Sequence, residues 1–298
     1  MGNTFKSILV PLDGSELAED TLPFAREFAR RFGAAVTLFH VCEPAGHEPP
    51  FMCQSYVNHT GDLLKGADEN VPVESLAVSG KPADEIIRYA KEHDFDFILM
   101  ASHGRSGLGR WLLGSVTDKV VRASPVPVLV VRAGAAGEAA RPEAPGRSLL
   151  VPLDGSQHAE AVLPYAAMLA GAGKTRVVLL RVYRRPFVTA DYPEPDWEDH
   201  IKRIVGQFRK VAEDYLEGVK QRLAGDLDVT TEVIEGDAAE EIVRYAREHD
   251  LEMIVMATHG DSPLAEWEFG DAADKVVRNA GTPVFLVRPE VERAPGGA

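Results

Sequence analysis

"VPLDGS" is spelled twice in the chain, at Val10–Ser15 and again at Val151–Ser156. In the first copy it closes "SILVPL" (Ser7–Leu12), a short continuous apolar run such as fills a parallel strand buried on both faces. The repetition continues outward. "ADEIIRYAKEHDFDFILMASHG" (Ala83–Gly104) returns as "AEEIVRYAREHDLEMIVMATHG" (Ala239–Gly260), and "DKVVR" starts at Asp118 and at Asp274. Self-similarity on this scale sets the architecture before any single element is read. A chain of 298 residues is long enough for about two domains of roughly 100–200 residues. It therefore reads as one domain written twice.

Within each copy strands alternate with helices. After the first strand, Ala18, Leu22, Ala25, Ala29 and Phe32 recur at helical spacing and predict one amphipathic helix. "AVTLFHV" (Ala35–Val41), "VESLAVS" (Val73–Ser79), "FDFILMAS" (Phe95–Ser102) and "VPVLVVR" (Val126–Arg132) predict four further strands. "PADEIIRYAKEH" (Pro82–His93) predicts a helix with Pro in its first turn, and another helix opens near Ser115. This alternation predicts an α/β fold: two Rossmann-like, doubly wound parallel sheets in tandem, with helices on both faces. The expected domains are residues 1–134 and 147–298. They are joined by a linker over 135–146, inside the Ala-, Gly- and Pro-rich "AGAAGEAARPEAPGR". The copies differ between their second and third strands. There the second has "DWEDHIKRIVGQFRKVAEDYLEGVKQRLAG", one long amphipathic helix, while "EPPFMCQSYVNHTGDLLKGADEN" in the first predicts a helix that is short, displaced or partly disordered.

The net charge of −14 argues against nucleic acid, whose phosphates need Lys and Arg, and against anionic membrane surfaces. No apolar run reaches the length of a membrane span, and the N-terminal stretch has no signal-peptide core. Cys42 and Cys53 do not make a disulfide framework, so a reducing cytoplasm is the expected compartment.

The loop "ASHGRSGLGRWLLGS" (Ala101–Ser115) follows a strand and leads into a helix. A helix start presents unpaired N–H groups and partial positive charge, a natural seat for phosphate. Gly104 and Gly114 let backbone approach a ligand. Ser115 adds a hydroxyl, and Arg105 and Arg110 add charge. Asp13, just after the first strand, lines the same crevice if the first and fourth strands are neighbours. The plainer roles are a helix cap for Ser115 and an Asx-turn or cap for Asp13.

The loop resembles the Gly-x-x-Gly, nine residues, Gly-Ser/Thr signature of the ATP-binding branch of the universal stress protein family. "VPLDGS" resembles that family's first strand and turn. The resemblance covers nearly the whole chain, twice. It implies strand order 3-2-1-4-5 and an adenine-nucleotide site holding ATP, with or without Mg2+. Carried over by position, Asp13 and Val41 would hold the adenosine end, Met100, His103 and Gly104 would line the ribose and phosphate turn, and Gly114, Ser115 and Val116 would cradle the phosphates. Pro11, Leu12, Ala101, Arg105, Gly107 and Thr117 are expected to complete the nucleotide-binding set. Ala101 and Ala257 stand where the signature has its first Gly, and the added methyl restricts backbone approach.

Other constellations read more plainly. His40, Cys42, His47, Cys53 and His59 are the densest His/Cys stretch, but their spacing fits no familiar zinc pattern, and a core strand with a loose loop is preferred. His103 and His259 follow strands and lack a Ser or Cys nucleophile partner in sequence. No Walker loop, zinc-protease helix or nucleophile elbow occurs.

These readings predict a nucleotide-binding stress-response regulator with an unknown downstream partner. The alternatives are a slow ATP hydrolase or adenylating enzyme, for which the loop offers no evident base, and an interaction protein with an empty site. The apolar fifth strands, "VPVLVVR" and "TPVFLVR" (Thr282–Arg288), would be exposed edges and are expected to pair within the chain as a pseudo-dimer. Further homodimerisation is the weaker expectation. The second loop, "ATHGDSPLAEWEFGD" (Ala257–Asp271), carries Asp261, Glu266, Glu268 and Asp271 where the first has basic residues and Ser115, and Pro263 replaces Gly107. Asp271 is expected to cap its helix while filling the phosphate seat with its own charge.

Overall fold

The structure is a computed structural model describing residues 4–43, 50–66, 71–103, 113–132, 147–171, 175–185, 197–223, 225, 227–259 and 269–289. The first half runs β1 (Ser7–Leu12), α1 (Glu16–Glu19), α2 (Leu22–Phe32), β2 (Ala35–Cys42), α3 (Pro50–Lys65), β3 (Val73–Ser79), α4 (Pro82–Glu92), β4 (Phe97–Ala101), α5 (Ser115–Ala123) and β5 (Val128–Val131). The second repeats it as β6 (Ser148–Pro152), α6 (Gln157–Glu160), α7 (Leu163–Gly171), β7 (Arg176–Tyr183), α8 (Trp197–Leu223), β8 (Asp228–Glu235), α9 (Ala238–Glu248), β9 (Met253–Ala257), α10 (Asp271–Asn279) and β10 (Val284–Val287).

Each half is a parallel sheet in the order 3-2-1-4-5, as the resemblance implies, and the two join through their fifth strands. The combined order is β3-β2-β1-β4-β5-β10-β9-β6-β7-β8. β5 and β10 pair antiparallel, with Leu129 opposite Phe285. The apolar edges are therefore consumed within the chain, as expected for a pseudo-dimer. The linker itself lies outside the described residues.

Because β1, β4, β6 and β9 are covered on both faces, their residues are buried almost without alternation. The two cores each run through both halves. On one face Phe5, Phe28 and Phe97 meet Phe285 and Tyr165; Phe285 is fully buried, with ring centroids 6.1 Å from Phe5, 5.6 Å from Phe97 and 5.8 Å from Tyr165. The other face packs α4, α5, α9 and α10 through Ile86, Val120, Ile242 and Val276.

The repeated "DKVVR" lies at the joint. Arg122 pairs with Asp118 at 2.9 Å and with Asp274 at 3.3 Å; Arg278 pairs with Asp274 at 2.8 Å and with Asp118 at 3.1 Å. Each copy thus supplies one acid and one base to a closed four-charge ring between α5 and α10. Arg31 adds a hydrogen bond from α2 to the carbonyl of Leu169 across the halves at 2.7 Å.

Three local expectations need correction. The first helix is not continuous. Ser15 caps α1 by accepting from the Ala18 N–H, the Thr21 hydroxyl donates to the Ala18 carbonyl at 2.7 Å, and Pro23 restarts the chain as α2. A proline cannot donate the N–H that a continuous helix needs.

The counterpart of α8 in the first half is shorter than α8 but is a full helix. α3 has 16 residues, held by tertiary contacts rather than by an amphipathic stripe. The Gln54 side-chain amide donates to the Ser75 carbonyl and accepts from the Ala77 N–H, so it docks along β3. The Tyr56 hydroxyl donates to Glu19 at 3.0 Å, as the Tyr215 hydroxyl of α8 donates to Glu160. Phe51, Met52 and Leu63 of α3 stay exposed, which obscures its helical pattern in the sequence.

Finally, neither Ser115 nor Asp271 is a cap. Gly114 and Gly270 occupy those positions and make no side-chain bond, leaving Ser115 and Asp271 as the first helical residues.

Candidate functional site

The site is built where strand order reverses. β1 lies between β2 and β4, and the carboxyl ends of all three open toward the start of α5. Such crevices are where doubly wound sheets take ligands. Pro11 and Leu12 end β1, and Asp13 follows them. Val41 is near the end of β2, Met100 and Ala101 end β4, and His103 comes two residues later. Gly114, Ser115, Val116 and Thr117 open the facing helix. The fold thus brings these predicted residues to one end of the sheet. Gly104, Arg105 and Gly107 lie outside the described residues, as do Arg110 and the acidic part of the second loop, Asp261 to Glu268.

The start of α5 is fastened to the end of β4. The Gly114 N–H donates to the Ser102 carbonyl at 2.8 Å, and the Thr117 hydroxyl donates to the Ala101 carbonyl at 2.9 Å. A Cβ on Gly114 would come within 3.3 Å of that Ser102 oxygen, so glycine permits the close approach. Asp13 is occupied with the turn: its carboxylate accepts from the Ser15 N–H at 3.0 Å and from the Ser15 hydroxyl at 2.6 Å. Asp154 does the same for Ser156. The Asx-turn reading is therefore realised in both halves.

Ser102 and His103 share a hydrogen bond at Nδ1, and Nε2 of His103 is buried without a partner among the described residues; Thr258 and His259 repeat both features. Burial, reinforced by the positive charge of Arg132, holds the His103 imidazole below the ordinary histidine range. Burial and then Arg288 do the same for His259. Both rings are neutral near pH 7. A buried ring nitrogen without a partner is costly, and a ligand hydroxyl or an ordered water in the crevice would meet it.

The second half contains a cavity of about 310 Å3 at the equivalent place. It is lined by Pro152, Leu153, Asp154 and Val182, the counterparts of Pro11, Leu12, Asp13 and Val41. Met256, Ala257 and His259 line it where Met100, Ala101 and His103 stand in the first half. Its floor at the helix start is Gly270, Asp271, Ala272 and Ala273. Ala273 replaces Thr117, so the hydroxyl tie to the preceding strand is lost, while Gly270 keeps its bond to the Thr258 carbonyl at 2.9 Å. The volume lies at the small end of ligand pockets, about 300–1,000 Å3.

The model of the universal stress protein family matches residues 4–132 and again 146–288. The chain belongs to the universal stress protein family. Single-copy relatives match about half of it. A universal stress protein of Bacillus subtilis is 32% identical over 151 residues, 43% of this chain and 99% of its own length. One from Methanocaldococcus jannaschii is 31% identical over 142 residues, 44% of this chain and 84% of its own. A relative from Mycobacterium bovis spans both halves, being 26% identical over 231 residues, 75% of this chain and 71% of its own. Among solved structures, a universal stress protein from Archaeoglobus fulgidus has the same fold, with a TM-score of 0.63 at 20% identity over 95% of this chain and 96% of that one. Among the described residues of this universal stress protein, no helix is long and apolar enough to cross a membrane.

Sequence reasoning missed the cysteine pair. Cys42 at the end of β2 and Cys53 on α3 are joined in a disulfide, with Cα atoms 6.3 Å apart. No bond between them is expected from the sequence, and Cys53 lies on a helix rather than in a loose loop. His40 shares Cys42's face of the strand and, with both sulfurs, forms a buried cluster. The available signal was the i, i+2 spacing of His40 and Cys42, which puts both on one side of a strand.

Proposed function

We propose that this protein is a nucleotide-dependent regulator of the stress response that binds one ATP, in its first half. Asp13 and Val41 are assigned to the adenosine end. Met100, Ala101, His103 and Gly104 are assigned to the ribose and phosphate turn, with Arg105 and Gly107 beyond them. Gly114, Ser115, Val116 and Thr117 are assigned to the phosphates, with Mg2+ as a companion cation. The observation that carries this reading is the contrast between two matching helix starts. In α5 the first helical position is an exposed, uncharged Ser115, the Thr117 hydroxyl is directed to backbone, and the first-turn Asp118 is paired with Arg122 and Arg278. In α10 the same position is Asp271, a fixed negative charge at the wall of the cavity. A helix start favours anions, and a carboxylate already there opposes a second one. The second half has on this reading kept the cleft and lost the triphosphate.

Mass spectrometry of ligand released from purified protein identifies the nucleotide, and titration calorimetry counts it. One ATP per chain is expected. Two per chain, or phosphate density beside Asp271, overturns the assignment. A turnover assay on the loaded protein then separates a binding module from a slow ATP hydrolase.

A further inference from the structure

The His40, Cys42 and Cys53 cluster lies outside the residues assigned to nucleotide. The three side chains are 4%, 7% and 1% exposed, and one ligand-capable atom from each lies within 4.8 Å of the others. The His40 ring is already set. Its Nδ1 stands 2.8 Å from the Leu12 carbonyl oxygen. A carbonyl only accepts, so Nδ1 carries a proton, and in the neutral ring the lone pair is on Nε2. That is the arrangement of a metal-bound histidine, whose second nitrogen is fixed by a backbone carbonyl or carboxylate. The Tyr56 ring stands edge-on to the imidazole, with centroids 5.4 Å apart, and limits its rotation. The second half has no such group, because Arg181 and Tyr183 stand where His40 and Cys42 do.

We propose that His40, Cys42 and Cys53 form a redox-gated site for a soft metal cation, of which Zn2+ is the test case. In the reduced chain the two sulfurs bind as thiolates and His40 through Nε2, and a water completes the tetrahedron. Thiolate and imidazole are the ligands such an ion takes. With Zn–S near 2.3 Å, a tetrahedral ion holds two sulfurs roughly 3.8 Å apart, a separation that side chains on β2 and α3 reach once the S–S bond is broken. The disulfide is the metal-free state. Binding replaces two thiol protons by one Zn2+, which makes affinity rise with pH. A peroxide reverses it. The two zinc-bound thiolates, one H2O2 and two protons give the disulfide, free Zn2+ and two waters, the sulfurs losing the two electrons that the peroxide gains.

The test uses the full chain, reduced and freed of reductant, with its two thiols verified by titration. Zn2+ is measured against a chromophoric chelator, and Co2+ is used as a spectroscopic probe. Expected is one ion per chain with thiolate-to-cobalt charge-transfer absorption, its release on adding H2O2, and its return after reduction. The His40→Ala variant should bind at least about tenfold more weakly, since even outer partners of metal ligands are worth about 10–100-fold. Cys42→Ser/Cys53→Ser should not bind. Wild type in its two redox states needs no variant to fold. The proposal is overturned if the reduced chain binds neither ion more tightly than the double serine variant. It is equally overturned if the disulfide form binds as well as the reduced form, or if peroxide leaves both thiols free.

Discussion

Replacing Phe285 with Ala tests the joint on which the ten-stranded sheet depends. The ring is fully buried and touches Phe5 and Phe97 of the first half and Tyr165 of the second. A buried aromatic side chain removes about 150–250 Å2 from water. At about 25 cal/mol per Å2 the area term is roughly 4–6 kcal/mol, an upper figure because the unfolded chain is itself partly collapsed. Core Phe→Ala changes cost about 3–5 kcal/mol, so we take about 4 kcal/mol. In a chain of this size 1 kcal/mol shifts Tm by about 2–4 °C, which gives a fall of roughly 8–16 °C. Because the lost contacts span both halves, the variant should also separate one calorimetric transition into two. Differential scanning calorimetry with far-UV circular dichroism reads both effects. A single transition lowered by less than about 3 °C would show that this ring does not couple the halves.

Three further outcomes follow from the site and the joint. Ser115→Asp should weaken ATP binding: two unit charges about 4 Å apart repel by roughly 1 kcal/mol in water and about 4 kcal/mol at an effective dielectric of 20, up to about a thousandfold at 1.4 kcal/mol per decade, and unchanged affinity by calorimetry refutes the cradle. Arg278→Ala opens the charge ring at the joint, but its members are partly exposed, so urea unfolding should report a loss of no more than about 1 kcal/mol, shrinking in high salt. His103 and His259 have folded pKa values below the unfolded one, so their contribution is complete above about pH 6.5 and declines as the pH falls through that value, where the unfolded chain takes up the protons first. The drop in unfolding free energy between pH 7.5 and 5.5 should therefore be smaller in His103→Gln/His259→Gln than in wild type, and equal drops contradict the assignment.

The strands were legible because a sheet covered on both faces makes nearly every strand position apolar. "SILVPL" and "VPVLVVR" show this directly, although β5 is shorter at each end than the apolar run. The pairing of the fifth strands could be argued because two unsatisfied edges in one chain have an obvious partner. What stayed hidden was tertiary. The break at Thr21 depends on a hydroxyl turning back on the Ala18 carbonyl, and α3 is held by Gln54 and Tyr56 reaching other elements. The two "DKVVR" segments were read as a sign of repetition, and their role at the joint appears only when α5 and α10 lie side by side. At the candidate site the chemistry of Ser115 and Asp271 could be read from the sequence, but their rank in the helix could not, because a glycine with no side chain took the capping position in both copies.

Fusing the partners through β5 and β10 changes what mutation can do. In an assembly of identical subunits every substitution is duplicated, so neither copy can be altered alone, and dilution can dissociate the pair. Here each strand meets its partner at a fixed one-to-one ratio at any concentration. A change in one copy leaves the other untouched. One half can lose an ability while still serving as the scaffold for its twin, and an asymmetric pair costs the cell no sorting of unlike chains.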